Sequence, residues 1–364
     1  PDDLHNFRGY RSLVLMSKTV KVGTVTIGGG NPVSVQSMTN TKTVDTQSTL
    51  EQIERLAGAG CEIVRVSVPD NESAVALKSI TLESPLPVVA DIHFDYRLAI
   101  ESIRNGAAKV RINPGNFGQE WKIVETVKIA KEHNVPIRVG ANSGSIDQNF
   151  SHLCRVTALA ESALAQVRLL EKAGFEDIII SVKASSVSET VEATRYVSEK
   201  VDYPLHLGVT EAGFGLDSIV KSSIGIGALL LSGIGDTIRV SISGDPIQEV
   251  EVAFSILKAL NLRPGPDIIS CPTCARTEIN VEELAREVKQ WLKGIDDDIT
   301  VAIMGCVVNG IGEGKGADIG IAGTRTGGVI FMKGHVVEQT VKGELEERFK
   351  YWLDKALDKG EDRL

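Results

Sequence analysis

From about Pro32 to Leu260 the chain repeats one unit: a short run rich in β-branched residues, then a glycine-poor amphipathic stretch. The runs are "PVSVQSM" (32–38), "EIVRVSV" (62–68), "PLPVVADIH" (85–93), "AKVRINP" (108–114), "VPIRVGAN" (135–142), "DIIISVKAS" (177–185), "PLHLGVTEAG" (204–213) and "TIRVSIS" (237–243). Stretches between them, such as "TQSTLEQIERLAGAG" and "EWKIVETVKIAKEHN", carry helical periodicity and end on Gly or Asn, as helix C-termini do. Strand and helix alternating in this way predict a parallel sheet, and eight repeats close it into a barrel. The preceding "KVGTVTIGGG" reads as a hairpin at the barrel bottom. The expected fold class is α/β: a (β/α)8 TIM barrel over 16–262, followed by a smaller α/β domain over 263–364. The proline-rich "NLRPGPD" (261–267) is the linker. After it come the helix "NVEELAREVKQWLKG", the strand "DITVAIMGC", a glycine-rich loop, the strands "ADIGIAG" and "GGVIFMKG", and the helix "GELEERFKYWLDKALDKG".

The net charge of -9 argues against a chain built to coat nucleic acid or an anionic membrane. No apolar run is long enough to span a bilayer, and no signal-peptide pattern opens the chain. The expected location is therefore the cytoplasm, where structural disulfides are disfavoured and metal-bound thiolates favoured. Residues 1–15, "PDDLHNFRGYRSLVL", read as an extension or disordered tail ahead of a natural start at Met16.

In a (β/α)8 barrel the reaction site lies at the C-terminal ends of the strands. Side chains two apart on a strand share a face. Arg65 thus aligns with Ser67, Asp91 with His93, Arg111 with Asn113, Arg138 with Asn142, Ser181 with Lys183, and Arg239 with Ser241 and Ser243. His206 and Thr210 share a parity, and Glu211 follows at the strand–loop junction. Five cations, Arg65, Arg111, Arg138, Lys183 and Arg239, are expected at one mouth of an acidic protein. Buried like charges need an anion, and arginine forks suit phosphate oxygens. Asp91, His93 and Glu211 are candidates for proton handling or hydroxyl binding; each also reads as a plain neutralising group.

Cys61 and Cys154 stand alone and read as small core residues. Cys271 and Cys274 form a C-x-x-C, and Cys306 ends a strand in "AIMGCVVNGIGEGKG". Zinc wants a fourth Cys or His, a thioredoxin-type pair needs no third cysteine, and an iron–sulfur cluster wants four ligands. Glu313 is the nearby weaker donor; on its own it reads as a solvated loop charge.

The stretches "PVSVQSMTNT", "RVGANSGS", "GVTEAG", "CPTCARTEIN" and "MGCVVNGIGEGKGADIGIAG" resemble the bacterial 4-hydroxy-3-methylbut-2-en-1-yl diphosphate synthases. The resemblance runs from Met16 to the final helix and is to the short form, without an inserted domain. It implies an oxidoreductase of isoprenoid biosynthesis, in the methylerythritol phosphate pathway. The implied reaction opens and dehydroxylates 2-C-methyl-D-erythritol 2,4-cyclodiphosphate by reduction. It implies a 4Fe–4S cluster held by Cys271, Cys274, Cys306 and Glu313, with Glu313 weak enough to yield to substrate. Substrate binding falls to Arg65, His93, Arg111, Asn113, Arg138, Asn142, Lys183, Thr210, Arg239 and Ser241, and Glu211 serves a hydroxyl or a proton. Flavodoxin or ferredoxin is the implied electron donor, and a homodimer with an active site shared between chains the implied assembly. The rival reading is a pterin-binding barrel of the dihydropteroate synthase type, with a structural metal domain.

Overall fold

The computed structural model describes residues 16–144 and 146–361; the expected extension at 1–15 lies outside them. The chain divides into two compact units, one ending at Leu262 and the other starting at Arg263.

The first unit opens with an antiparallel ribbon, β1 (Val20–Val22) and β2 (Val25–Ile27). Gly23 makes its turn at φ 56, where a Cβ would come within 3.0 Å of Pro87 Cβ. Eight parallel strands follow: β3 (Ser34–Met38), β4 (Ile63–Ser67), β5 (Val88–Asp91), β6 (Lys109–Arg111), β7 (Ile137–Asn142), β8 (Ile178–Lys183), β9 (His206–Leu207) and β10 (Thr237–Ile238). They pair in the order β8-β7-β6-β5-β4-β3-β10-β9, and a bridge from Ile180 to Leu205 closes the ring. Each strand leads into a helix: α1 (Thr46–Gly58), α2 (Asn71–Glu83), α3 (Tyr96–Arg104), α4 (Glu120–His133), α5 (Arg155–Lys172), α6 (Val187–Ser198), α7 (Gly215–Leu231) and α8 (Pro246–Ala259). Asp45, Asp70, Asp95, Ser186 and Asp245 cap helix N-termini by accepting backbone N–H bonds, which fixes where each strand–helix turn stops.

Outward strand residues such as Val64, Val66, Ala90 and Val139 pack on the helices in one continuous core. The interior is different. At its base Val20, Val22 and Ile27 of the ribbon pack on Ile63, Val89 and Ile179, forming an apolar plug. Above the plug the interior is polar: Gln36, Lys109, Arg138, Ser181 and His206 are all buried. That layering leaves only the C-terminal mouth for polar chemistry.

The last two barrel strands are shorter than the runs "PLHLGVTEAG" and "TIRVSIS" suggest. Gly208 ends β9 with φ 156, so Thr210 and Glu211 stand in a loop, and Ser241 and Ser243 lie beyond β10. Parity on a strand therefore does not govern those four residues.

The second unit is a five-stranded sheet in the order β11 (Asp267–Ser270), β12 (Thr300–Met304), β13 (Ile319–Thr324), β14 (Gly327–Met332) and β15 (His335–Val341). The pairs β11–β12 and β12–β13 are parallel, the rest antiparallel. Helices α9 (Val281–Trp291) and α11 (Leu345–Glu361) cover one face through Leu284, Val288, Phe349 and Leu353. The other face holds Ala302, Met304, Ala322 and Phe331, with Ile311 of α10 (Val307–Glu313) against them. The segment expected to be a glycine-rich loop is thus helical. Gly310 serves packing: a Cβ there would lie 2.8 Å from Met304 Cβ and 3.0 Å from Ala322 Cβ. Strands β11 and β15 go beyond the sequence reading. One is a four-residue run directly after the prolines, and the other is a largely exposed edge whose alternation is weak. Among the described residues no helix is long and apolar enough to cross a membrane.

Candidate active site

Five basic side chains at the rim, the Lys109 amine below them, two carboxylates and a methionine sulfur define the barrel mouth and the layer beneath it. Asp91, at the end of β5, faces Arg111 Nη1 at 3.3 Å, His93 Nε2 at 3.5 Å and Arg65 Nε at 3.9 Å. Burial alone would push its carboxyl up. Arg65, His93, Arg111 and Arg138 overcome that and hold it well below the usual carboxylate range. Arg239 forks onto Glu249 of α8, Nε to Oε2 at 3.2 Å and Nη2 to Oε1 at 3.1 Å. Met38 Sδ accepts from Arg65 Nε at 3.1 Å, a weak acceptor for a guanidinium. Burial pushes Arg65 down to about 10, so it stays charged near neutral pH.

Arg138 and Lys183 are the mouth cations with no directly paired carboxylate among the described residues; Asp91 and Glu249 act on them only at longer range. Arg138 is 2% exposed, and its Nε and Nη1 have no partner. Lys183 rises from β8 past Gly208, where a Cβ would come within 2.6 Å of Nζ and would also meet the Arg239 backbone carbonyl, the obstacle that cannot move aside cheaply. Burial first, then neighbouring guanidiniums, lower the proton affinity of both well below the ordinary values.

Asn113 ends the β6 run, half-buried, and Asn142 pairs in register with Lys183. His93 is half-exposed, with its ring nitrogens 3.3 and 3.5 Å from Arg111 Nη1. Thr210 is half-buried and Ser241 likewise. Glu211 is exposed and holds φ 52, a left-handed backbone that a glutamate rarely adopts and that often accompanies a functional position. His206 does not join the rim: it is 1% exposed, deep inside the barrel.

Three interior residues escaped the sequence reading. Glu249 sits in the first turn of α8, where a glutamate is an ordinary helix-start residue. Met38 gave no signal as an acceptor. Lys109 did carry one: it stands two residues before Arg111 and therefore on the same face. A cavity of about 610 Å³ opens elsewhere, beside Met16, Tyr203 and Asp236 at the N-terminal end of the strands. It contains none of these groups, and barrel chemistry belongs to the other end.

In the second unit β11 and β12 run side by side, with Ser270 opposite Ile303, so the residues that follow each strand share one sheet edge. Cys271 Sγ accepts an N–H bond from Gly305 at 3.0 Å, and Cys306 is the next residue, at the N-terminus of α10. The Cys274 thiol is exposed and lowered, chiefly by the backbone N–H of Arg276. Glu313 is exposed on the last turn of α10, seven residues along the helix, about two turns from Cys306. Among the described residues no three His, Cys, Asp or Glu side chains gather at metal-binding distance. The donor set nevertheless fits a soft iron centre: Cys271 and Cys306 follow adjacent parallel strands, Cys274 is exposed three residues beyond Cys271, and cysteine sulfur is the usual ligand of iron–sulfur clusters. Cys61 is a buried thiol pushed up to about 11 by its burial, as a core residue should be. Cys154 is not: it is exposed at the N-cap of α5, with Sγ 3.1 Å from Thr157 Oγ1. A lone cysteine before a helix has no periodic neighbours to reveal its side.

Together these features define a class: a (β/α)8 barrel with a cation-rich mouth at the strand C-termini, carrying a three-cysteine α/β unit further along the chain. Residues 17–254 match the GcpE TIM-barrel domain, and residues 267–355 match the GcpE protein C-terminal domain. The chain belongs to the GcpE family. It is 56% identical over 346 residues to the 4-hydroxy-3-methylbut-2-en-1-yl diphosphate synthase (flavodoxin) of Thermotoga petrophila, covering 95% of this chain and 100% of that one. It is 50% identical to the enzyme of the same name from Geobacter sulfurreducens, over 94% of this chain and 98% of that one. Among solved structures, Yersinia pestis dihydropteroate synthase superposes with a TM-score of 0.50 at 11% identity, over 67% of this chain and 98% of that one. That likeness shows the barrel fold alone, and the pterin-binding reading is not favoured once both domains match one family.

Proposed function

We propose that this chain catalyses the reductive ring opening and dehydroxylation of 2-C-methyl-D-erythritol 2,4-cyclodiphosphate to 4-hydroxy-3-methylbut-2-enyl diphosphate. The observation that carries this reading is buried Arg138, whose Nε and Nη1 have no partner, beside half-buried Lys183, with which no carboxylate of the described residues pairs, in a protein of net charge -9. Such charges are stable together only against an anion of matching charge. Arg65, Arg111 and Arg239 are held by Asp91 and Glu249 and frame the pair with fixed donors. Asn113, Asn142, Thr210 and Ser241 supply neutral donors for the phosphate oxygens and hydroxyls.

The reaction consumes two electrons and one proton. One bond from ring carbon to bridging phosphate oxygen breaks, a hydroxyl leaves as water, and the diphosphate gains a negative charge. The cations of the mouth favour that gain because it appears where they already point. Glu211, on its left-handed turn, and His93, against Asp91, are the groups that exchange protons with the substrate hydroxyls. Cys271, Cys274, Cys306 and Glu313 would hold the 4Fe–4S cluster. When bound, that cluster supplies single electrons and a Lewis-acidic iron. Flavodoxin, named in the relatives, or ferredoxin is the electron donor, and the working form is a cytoplasmic homodimer with a shared active site. Anaerobically prepared protein, given reductant and the cyclodiphosphate, should release the linear diphosphate, identified by mass. Intact iron content with no product overturns the reading.

A further inference from the structure

Lys109 opens β6 and points into the barrel beneath Arg111. It is fully buried, 0% exposed. Its Nζ bonds one acceptor, the neutral amide Gln36 Oε1 on β3, at 3.3 Å. In register with it is Val89, part of the apolar plug, so no solvent reaches it from below. The groups around it are Arg65 on β4, Arg138 on β7 and His206 on β9. Asp91 on β5 stands one step higher and is engaged by Arg65 and Arg111. Lys183 on β8 adds another positive charge beside His206, and Glu249 is taken by Arg239. No carboxylate among the described residues pairs with Lys109. Close by, Gln36 Nε2, Arg138 Nε and Nη1, and both ring nitrogens of His206 lack partners.

A buried amine among cations with only an amide for company is more stable uncharged. Burial first, then Arg138 and Arg65, act in that direction. An anion at the mouth reverses the balance, because its charge acts through the same low-dielectric interior. We propose that Lys109 is a charge-regulated positioning residue: neutral in the free barrel, it takes one proton from solvent when a diphosphate settles on Arg138 and Lys183, and then holds that anion from beneath. The amine lone pair accepts the proton; no bond to the ligand forms. This rests on the diphosphate reading of the mouth.

Inorganic pyrophosphate is titrated into the full chain by calorimetry, in buffers of different ionisation enthalpy, so that protons taken up per site are counted. The same is done for Lys109→Met and Lys109→Gln, the second keeping a polar group against Gln36. Protons that pyrophosphate itself gains or loses cancel in the comparison. The wild type should take up about one more proton per site than either variant, and its affinity should rise more steeply as pH falls. Loss of the added cation should weaken binding in the variants about tenfold. Both variants should fold, since each removes an unpaired buried amine. Equal proton uptake in wild type and variants overturns the proposal, as it would if His206 were the acceptor. Failure of pyrophosphate to bind the wild type overturns the diphosphate reading and this one with it.

Discussion

Arg239 and Glu249 form a two-pronged, partly buried ion pair, 3.2 and 3.1 Å long, between the end of the last barrel strand and the helix that follows it. Glu249 also accepts from Ser37 Oγ at 2.9 Å and from the Ile242 N–H at 3.2 Å. One carboxylate thus aims a mouth arginine and locks the first barrel strand to the last helix. Glu249→Ala leaves partly buried Arg239 without its partner and the Ser37 hydroxyl and Ile242 N–H unmet as well. We expect a loss of about 3–5 kcal/mol in unfolding free energy. Chemical denaturation measures it, and a loss under about 1 kcal/mol would mean that solvent replaces the carboxylate.

Arg138 should show the opposite pattern. Its Nε and Nη1 lack partners in the free barrel, so the charge is a burden until an anion arrives. Arg138→Met should raise the thermal midpoint, by about 1–3 kcal/mol of stability, while pyrophosphate affinity falls at least about 100-fold. A variant that is less stable and still binds would assign Arg138 a structural role.

Gly208 lets Lys183 and the Arg239 carbonyl approach: a Cβ there would stand 2.6 Å from Lys183 Nζ and 2.4 Å from Arg239 O. Its φ of 156 adds backbone strain for any other residue. Gly208→Ala should cost about 1–3 kcal/mol and, by moving Lys183, lower turnover at least about tenfold. Unchanged kinetics would show that Lys183 reaches the anion by another path.

Acid stability tests Asp91. Burial opposes its charge, but Arg65, His93, Arg111 and Arg138 hold its proton affinity below that of an unfolded aspartate. The folded state therefore binds fewer protons than the unfolded one at low pH. Its contribution is complete above about pH 5 and fades as pH drops through and below about 4. Unfolding free energy measured against pH should fall less steeply in Asp91→Asn than in wild type over that window. Identical slopes would remove Asp91 from the acid response.

Much of this was legible in the sequence. The eight β-branched runs locate every barrel strand because outward residues such as Val64, Val88 and Val139 must pack on helices. Strict alternation places Arg65, Arg111, Arg138 and Lys183 on inward faces. Alternation fails where the strand stops, so it does not orient Thr210, Ser241 and Ser243, whereas Glu211 lies in a loop after the strand, as its place at the strand–loop junction suggested. Glu249 was hidden because a helix-start glutamate and a buried counter-ion look alike in sequence. The glycines of α10 suggested a loop, although Gly310 is there to bring a helix against Met304 and Ala322. Cys154 lacked any periodic context that would fix its side.

Glu313 is the proposed fourth ligand, and its role depends on chemistry outside the barrel. Glu313→Ala should lower turnover about tenfold or more, with pyrophosphate binding at the barrel mouth unchanged. Full activity in that variant would make it a bystander on α10.

The most direct test compares turnover of the cyclodiphosphate by wild type and Arg138→Met at equal iron content, followed by the phosphorus resonance of the linear diphosphate. We expect the wild type to convert the substrate and the variant to be slower by at least about 100-fold. A variant as fast as wild type, or a wild type that forms no linear diphosphate, would contradict the assignment of the mouth as the diphosphate site.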